Sequence, residues 1–255
     1  MIIDINTFYG HWPFRKLPCE SMEEISASAA KNHIDAMIIS STNAIFYQDH
    51  FDGDEELAGV LPPNSYQALT IDPSQPYFED DLRLAVERFR LRAVRIHPEY
   101  HNYSLSDPCV TRLFDVLHEY GLPLLLTNTM EDPRALHTLP QKTLRADEIA
   151  SMILHNKKIP VVITNASLGD WQTYKGLLEE YGNIYYDTSG LKFGLSDIIE
   201  TVISEFGIPA THLLYGSHFP LYCRESTLNY FSMDPVPEKI KELVLHGNAQ
   251  RVFKI

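Results

Sequence analysis

Eight short apolar runs, each followed by an amphipathic stretch, set the tightest limit on what this chain can fold into. The runs are Met1–Ile5, Asp35–Ser40, Tyr66–Ile71, Ala93–His97, Leu124–Thr127, Val161–Thr164, Ile184–Asp187 and Leu213–Gly216. Short, mostly apolar segments of this kind suit strands covered on both faces, as in a parallel sheet. Helical patterns fill the intervals. Val110, Leu113, Phe114 and Leu117 keep the i, i+3, i+4, i+7 stripe, and Ile198, Ile199, Val202, Ile203 and Phe206 follow it more loosely. Met22, Ile25 and Ala29 mark a first helix, and Ile240, Leu243 and Val244 a late one. Gly121-Leu122-Pro123, Gly182-Asn183 and Gly207-Ile208-Pro209 stand where helices should stop.

Eight β–α units without a break in composition predict an α/β fold, a single-domain (β/α)8 TIM barrel over residues 1–255. The alternative, an open doubly wound sheet, usually carries a glycine-rich first turn, and Asn6–Gly10 contains no G-x-G-x-x-G.

Strand parity then selects the side chains that can meet. In Ala93-Val94-Arg95-Ile96-His97 the apolar Val94 and Ile96 share the face that packs on helices, so Arg95 and His97 point into the barrel. The same count turns Asp4, Asn6 and Phe8 inward from the first strand, and Leu214, Gly216 and His218 from the last. Polar groups inside a barrel are costly unless paired or wet, and they gather at the strand tips, where barrel enzymes keep their chemistry.

Charge and cysteine content narrow the partners. Asp and Glu number 34 against 21 Lys and Arg, a formal charge of −13 with no basic stripe, which argues against nucleic acid as a partner and is silent on small anions. The three cysteines, Cys19, Cys109 and Cys223, are scattered and lack a Cys-x-x-Cys pair, as expected of reduced thiols. The opening Met1-Ile2-Ile3-Asp4 has no basic n-region, and no apolar run approaches ~18 residues. A cytoplasmic location without membrane association is the expectation.

Ile3-Asp4-Ile5-Asn6-Thr7-Phe8-Tyr9-Gly10 and Ala93-Val94-Arg95-Ile96-His97-Pro98 resemble, in place and order, the Asp-x-His-x-His-x-Gly and Gly-[Ile/Val]-[Lys/Arg]-Leu-His-Pro motifs of the amidohydrolase-related family of the amidohydrolase superfamily. Gly121–Thr127 matches Gly-Leu-Pro-Val-x-x-His, and Pro160–Asn165 parallels a strand ending in His. Asn183–Ser189 parallels Asn-Val-Tyr-x-Asp-Thr-Ser, Gly216–Pro220 answers to Gly-Ser-Asp-x-Pro, and Gly247–Arg251 to the closing Gly-Asn-Ala-x-Arg. In order, these motifs cover almost the whole chain. The resemblance implies metal ligands at positions that here hold Asn6, Phe8, Thr127, Asn165 and His218, a poor set for a divalent ion. No metal and no other cofactor is therefore expected, with a relocated site built from His11, His97, His101 and His218 as the alternative. Barrels of this family often pair, so a homodimer is one expected assembly.

The candidate catalytic residues are His218, His97 and Asp187. His218, in a turn after the last strand, could act as general base near neutral pH, or could merely fill the hole left by a metal beside Asn6 or Asn165. His97 lies beside Glu99, Tyr100 and His101 as a proton carrier or a packed histidine. Asp187 could orient a histidine, act as base, or cap the following turn. The candidate substrate-binding residues are Asn6, His11, Arg15, Arg95, Tyr100, Asn128, Arg134 and Asn165. Arg95 or Arg134 could hold a carboxylate, though Arg95 is slightly preferred as the neutraliser of Asp4. Asn6, Asn128 and Asn165 could steady an oxyanion, while Trp12 and Phe14 beside His11 and Arg15 could wall a pocket or form a lid. Nucleophilic catalysis has little support, because no Gly-x-Ser-x-Gly elbow occurs and no cysteine has an argued basic partner. The expected function is hydrolysis of a lactone, ester or similar activated carbonyl in a small carboxylate-bearing molecule, without the usual metal. The alternatives are a non-catalytic ligand-binding barrel and a metal-dependent hydrolase or decarboxylase with relocated ligands.

Overall fold

The computed structural model describes residues 1–131, 144–191 and 197–255. Eight parallel strands follow one another around a barrel in chain order: β1 Ile3–Tyr9, β2 Ala36–Ser41, β3 Ser65–Thr70, β4 Leu91–Ile96, β5 Leu124–Thr127, β6 Val161–Thr164, β7 Ile184–Asp187 and β8 Leu213–Leu214. The ring shuts where Ile5 N–H donates to the Tyr215 carbonyl (3.0 Å) and Thr7 bridges Phe219. The helices around it are α1 Met22–Lys31, α2 Asn43–Phe46, α3 His50–Val60, α4 Phe78–Arg88, α5 Pro108–Tyr120, α6 Ala146–His155, α7 Trp171–Glu180, α8 Ile198–Ser204, α9 Arg224–Met233, α10 Glu238–Glu242 and α11 Asn248–Phe253. This is the single-domain (β/α)8 TIM barrel that the apolar runs predict.

Local chemistry explains the helix ends. Ser21 and Glu24 form a reciprocal capping box at the start of α1. Pro108 opens α5, whose Val110, Leu113, Phe114, Val116 and Leu117 bury the predicted stripe.

Two rings of inward side chains stack inside the barrel. The lower ring is apolar: Ile3, Ile5, Ile38, Ala68, Ala93, Leu125, Val162, Tyr185 and Leu214, closed at the base by Ala249, Val252 and Phe253 of α11. One step further along each strand the inward positions become polar, with Asn6, Ser40, Thr70, Arg95, Thr127, Thr164 and Asp187 all buried.

The first strand departs from simple alternation. Asp4 pairs with Met37 and Thr7 with Ile39, so Ile5 and Asn6 together oppose Ile38. This bulge flips the parity between them. Asn6 and Phe8 face inward as expected, but Asp4 does not. Its carboxylate lies on the helical side, in a fully buried ion pair with Arg224 Nε (3.2 Å), and accepts hydrogen bonds from Ser217 Oγ (2.5 Å) and Thr7 Oγ1 (3.0 Å). The expected pairing of Arg95 with Asp4 is therefore corrected: the partner of Asp4 is Arg224, and Arg95 is left for the mouth.

Candidate active site

The polar ring is organised around one buried cation. Arg95 lies on β4 beside Thr70 of β3, and its guanidinium sits 4.7 Å above the Phe8 ring. Its Nη1 donates to Asn6 Oδ1 (3.0 Å) and Thr127 Oγ1 (3.2 Å). Its Nε and Nη2 are buried and donate to no described residue. Burial pulls the Arg95 pKa down to about 9 while Asp187 and Asp4 pull it up, so the group is a cation at neutral pH.

Asn6 links this cation to an anion. Its Nδ2 donates to Asp187 Oδ2 (2.7 Å) and lies 3.1 Å from His218 Nδ1. Asp187 also accepts from Asn165 N–H (2.7 Å) and Ser189 Oγ (2.7 Å), and burial raises its carboxyl to about 6 against the pull of these bonds. His218 Nε2 meets the Met130 carbonyl (2.7 Å). A carbonyl only accepts, so Nε2 carries the proton and Nδ1 accepts from Asn6; both ring nitrogens are engaged. Asn165 and His218 each adopt positive φ, 55° and 57°, which aims their side chains across the mouth at a cost of roughly 1–3 kcal/mol apiece.

His97 differs from His218. It is fully buried, neither ring nitrogen has a hydrogen-bond partner among the described residues, and burial together with the Arg95 charge holds its pKa well below the usual histidine range. It is a neutral imidazole facing Phe8, with ring centroids 6.3 Å apart. The Ser40 and Thr70 hydroxyls are likewise buried and have no partner among the described residues. The β2–β4 side of the ring thus holds unsatisfied polar atoms, while the β5–β8 side is hydrogen-bonded.

An aromatic lid covers this ring. Trp12, wholly buried, packs edge-on against Phe14, Phe46 and Tyr100 with centroid separations of 5.3, 5.5 and 6.0 Å. Glu131 fastens the lid, accepting from Trp12 Nε1 (3.0 Å) and Arg15 Nε (2.5 Å), while Arg15 Nη2 donates to the Leu221 carbonyl (3.1 Å). Glu99, raised to about 7 by burial, accepts from Met130 N–H (2.8 Å) and so ties the loop after β4 to that after β5.

Of the residues singled out from sequence, Asn6, Arg95, Asp187, Asn165 and His218 form one hydrogen-bonded network, with His97, the residue after β4, beside the same Phe8 ring as Arg95. Arg15 and Tyr100 belong to the lid. Asn128 reaches only the Asn165 carbonyl, at 3.4 Å. His11 is exposed on the surface, 3.6 Å from Glu20. Arg134 lies outside the described residues. Sequence reasoning passed over Ser40 and Thr70, which the parity count applied to β2 and β3 would have found. It also passed over Glu131, for which no local signal exists.

A family model described as amidohydrolase matches residues 62–255, well over half of the chain. The protein belongs to the amidohydrolase family. No curated protein matches the sequence. Among solved structures, this chain is similar to 5-carboxyvanillate decarboxylase from Sphingomonas paucimobilis, at 15% identity and a TM-score of 0.74 over 100% of this chain and 99% of that one. It is also similar to a dihydroxybenzoic acid decarboxylase from Polaromonas sp. JS666 with bound manganese and the inhibitor 2-nitroresorcinol (13%, TM-score 0.75, 99% and 96% covered). A probable 2-pyrone-4,6-dicarboxylic acid hydrolase from Acinetobacter baumannii, with citric acid bound, matches at 11% and a TM-score of 0.68 over 100% and 99%. At these identities the likeness is one of fold.

Proposed function

We propose that this amidohydrolase binds a small carboxylate-bearing molecule in the barrel mouth and hydrolyses an activated carbonyl within it, such as a lactone or ester. The observation that carries the reading is the bare edge of Arg95. Nε and Nη2 share one edge of the planar guanidinium, the edge that takes a carboxylate with two parallel hydrogen bonds. A buried cation with two unused donors is costly on its own and is relieved by an anion. The names of two related structures, a carboxyvanillate decarboxylase and a pyrone dicarboxylic acid hydrolase, support a carboxylate-bearing ligand.

His97 is the proton carrier in this reading. Burial, and after it the Arg95 charge, hold the imidazole neutral; a carboxylate on Arg95 offsets the second of these and raises its basicity. The imidazole takes a proton from water as the water oxygen bonds to the carbonyl carbon, then returns it to the departing alkoxide. The unpaired Ser40 and Thr70 hydroxyls are the donors available to the oxyanion. His218, with both nitrogens engaged, positions Asn6.

The divalent ion implied by the family resemblance finds a poor donor set here. Asn6 offers its amide N–H toward Asp187 and His218, Phe8 has no donor atom, and Thr127 already accepts from Arg95. The Asn165 amide is turned to the Thr129 carbonyl (2.7 Å) and the Tyr222 hydroxyl (3.0 Å). A guanidinium in their midst repels a second cation.

The test combines binding with turnover on a panel of carboxylated lactones and esters. Arg95→Gln should weaken binding by about 30- to 100-fold, the worth of a charge-assisted pair, while His97→Gln should cut kcat by about 100-fold with little change in affinity. Equal affinity in the Arg95 variant sinks the anchor. Binding without turnover marks a ligand-binding barrel, and turnover lost to a chelator marks a metal reaction.

A further inference from the structure

A second constellation lies above the same barrel edge, built from the segments that follow β2, β3 and β4. His50 opens α3, Asp72 follows β3, and His101 closes the turn after β4. One donor atom from each of the three lies within 4.8 Å of the other two. The imidazole rings are 4.8 Å apart, and His50 Nε2 stands 4.0 Å from Asp72 Oδ2.

The backbone fixes which nitrogen each histidine presents. His50 Nδ1 lies 2.5 Å from the Ala44 carbonyl, and His101 Nε2 lies 3.1 Å from the Ile45 carbonyl. A carbonyl accepts only, so these nitrogens carry the protons and the lone pairs are at His50 Nε2 and His101 Nδ1. His101 is 7% exposed, and its Nδ1 has no hydrogen-bond partner among the described residues. Asp72 is held from behind, its Oδ1 accepting from Ser74 N–H (2.9 Å) and Ser74 Oγ (2.7 Å), which leaves Oδ2 toward His50. Three acceptors therefore converge with no donor among them. Imidazoles braced by backbone carbonyls on their outer nitrogens are the usual support of metal-binding histidines.

We propose that His50, Asp72 and His101 bind one divalent transition-metal cation, with zinc the best fit to two imidazoles and a carboxylate. Three protein donors leave a fourth position for water or a ligand. Bonds of about 2.1 Å place neighbouring ligand atoms some 3–4 Å apart, so the trio draws in by roughly an ångström on binding. His50, part-exposed at a helix start, supplies the movement. An open groove of ≈ 830 Å³ reaches His50 from the surface, and its walls carry Asp49, Asp52 and Asp81. These carboxylates concentrate cations at the entrance and give the ion a path in. The site is displaced from the centre that the family resemblance implies. It shares no residue with the Arg95 anchor, so either reading can fail alone. The rings of His97 and His101 are 6.2 Å apart, which puts the ion beside the polar ring.

The experiment uses the full chain, stripped with chelator and then titrated with Zn2+ by calorimetry and with Co2+ by visible absorption. One ion per chain is expected, with a cobalt spectrum of low-symmetry nitrogen and oxygen ligation. His101→Gln and Asp72→Asn should each weaken Zn2+ binding at least about 100-fold, and His218→Gln should leave it unchanged. Where a buried variant loses its native circular dichroism, His50→Gln, at a part-exposed position, tests the same ligand set. Absence of saturable binding in the parent, binding indifferent to His50→Gln, or loss on His218→Gln alone overturns the proposal. In the first of these cases the three groups share a proton instead.

Discussion

Gly216 shows how finely the mouth is fitted. A Cβ built there would stand 2.4 Å from Asp187 Oδ2 and 2.9 Å from Asn6 Cβ, closer than real contacts allow. Only hydrogen at this position lets β1 and β7 share the Asn6–Asp187 hydrogen bond across the end of β8. Gly216→Ala should therefore cost about 1–3 kcal/mol, read as a lowered urea midpoint, and should weaken ligand binding in step with the displacement of Asn6. An unchanged midpoint would mean that the network has slack. The residue scale is also where sequence reading was weakest. Arg95 and His97 were legible because β4 keeps its alternation through both. Asp4 was misread because one extra residue in β1 reverses the count beyond it. Its true partner, Arg224, is 220 positions away, a pairing that no local pattern encodes.

Among the elements, the loops carry the specificity and the strands carry the frame. The eight strands were readable because an apolar run covered on both faces has one sensible fate, and the stripe of α5 because its buried face repeats every turn. The lid was half readable: aromatic residues clustered after β1, but what fastens them, Glu131, comes from the loop after β5. Its carboxylate is 4% exposed and holds Trp12 and Arg15 at once. Glu131→Gln keeps the shape and removes the charge that Arg15 needs. Loss of one partly buried charge-assisted bond, about 1–2 kcal/mol after allowance for Arg15's exposure, should speed ligand association by about tenfold. It should also raise amide exchange in residues 11–17. Stopped-flow binding and hydrogen exchange read the two effects, and association at the parent rate would show that ligand enters elsewhere. The segments bearing His50, Asp72 and His101 lie beyond the reach of sequence periodicity for the same reason: three separate loops meet only once the barrel has closed.

For the molecule as a whole, buried acids set the response to pH. Asp54 of α3, completely buried, accepts from Gln67 Nε2 (2.9 Å) and Thr70 N–H (2.9 Å), yet burial, helped by the Asp81 charge, pushes its pKa up to about 8. A carboxyl whose pKa is higher folded than unfolded binds its proton more tightly in the native state. Its stabilising contribution is complete below the unfolded value near 4 and is lost as pH climbs toward 8. The melting temperature should fall from pH 5 to pH 8, and Asp54→Asn should flatten that slope even where it lowers the whole curve. Parallel slopes in parent and variant would show that Asp54 ionises normally. No helix among the described residues is long and apolar enough to cross a membrane.

The cation in the mouth is written into the polypeptide, and that has a consequence for what can be recognised there. A guanidinium is flat and offers hydrogens only along its rim, whereas a bare ion attracts from every direction. If Arg95 is the anchor proposed above, its guest brings negative charge edge-on, in the plane of the Nε–Nη2 side. Two oxygens held in one plane, as in a carboxylate, would meet that rim with two parallel hydrogen bonds.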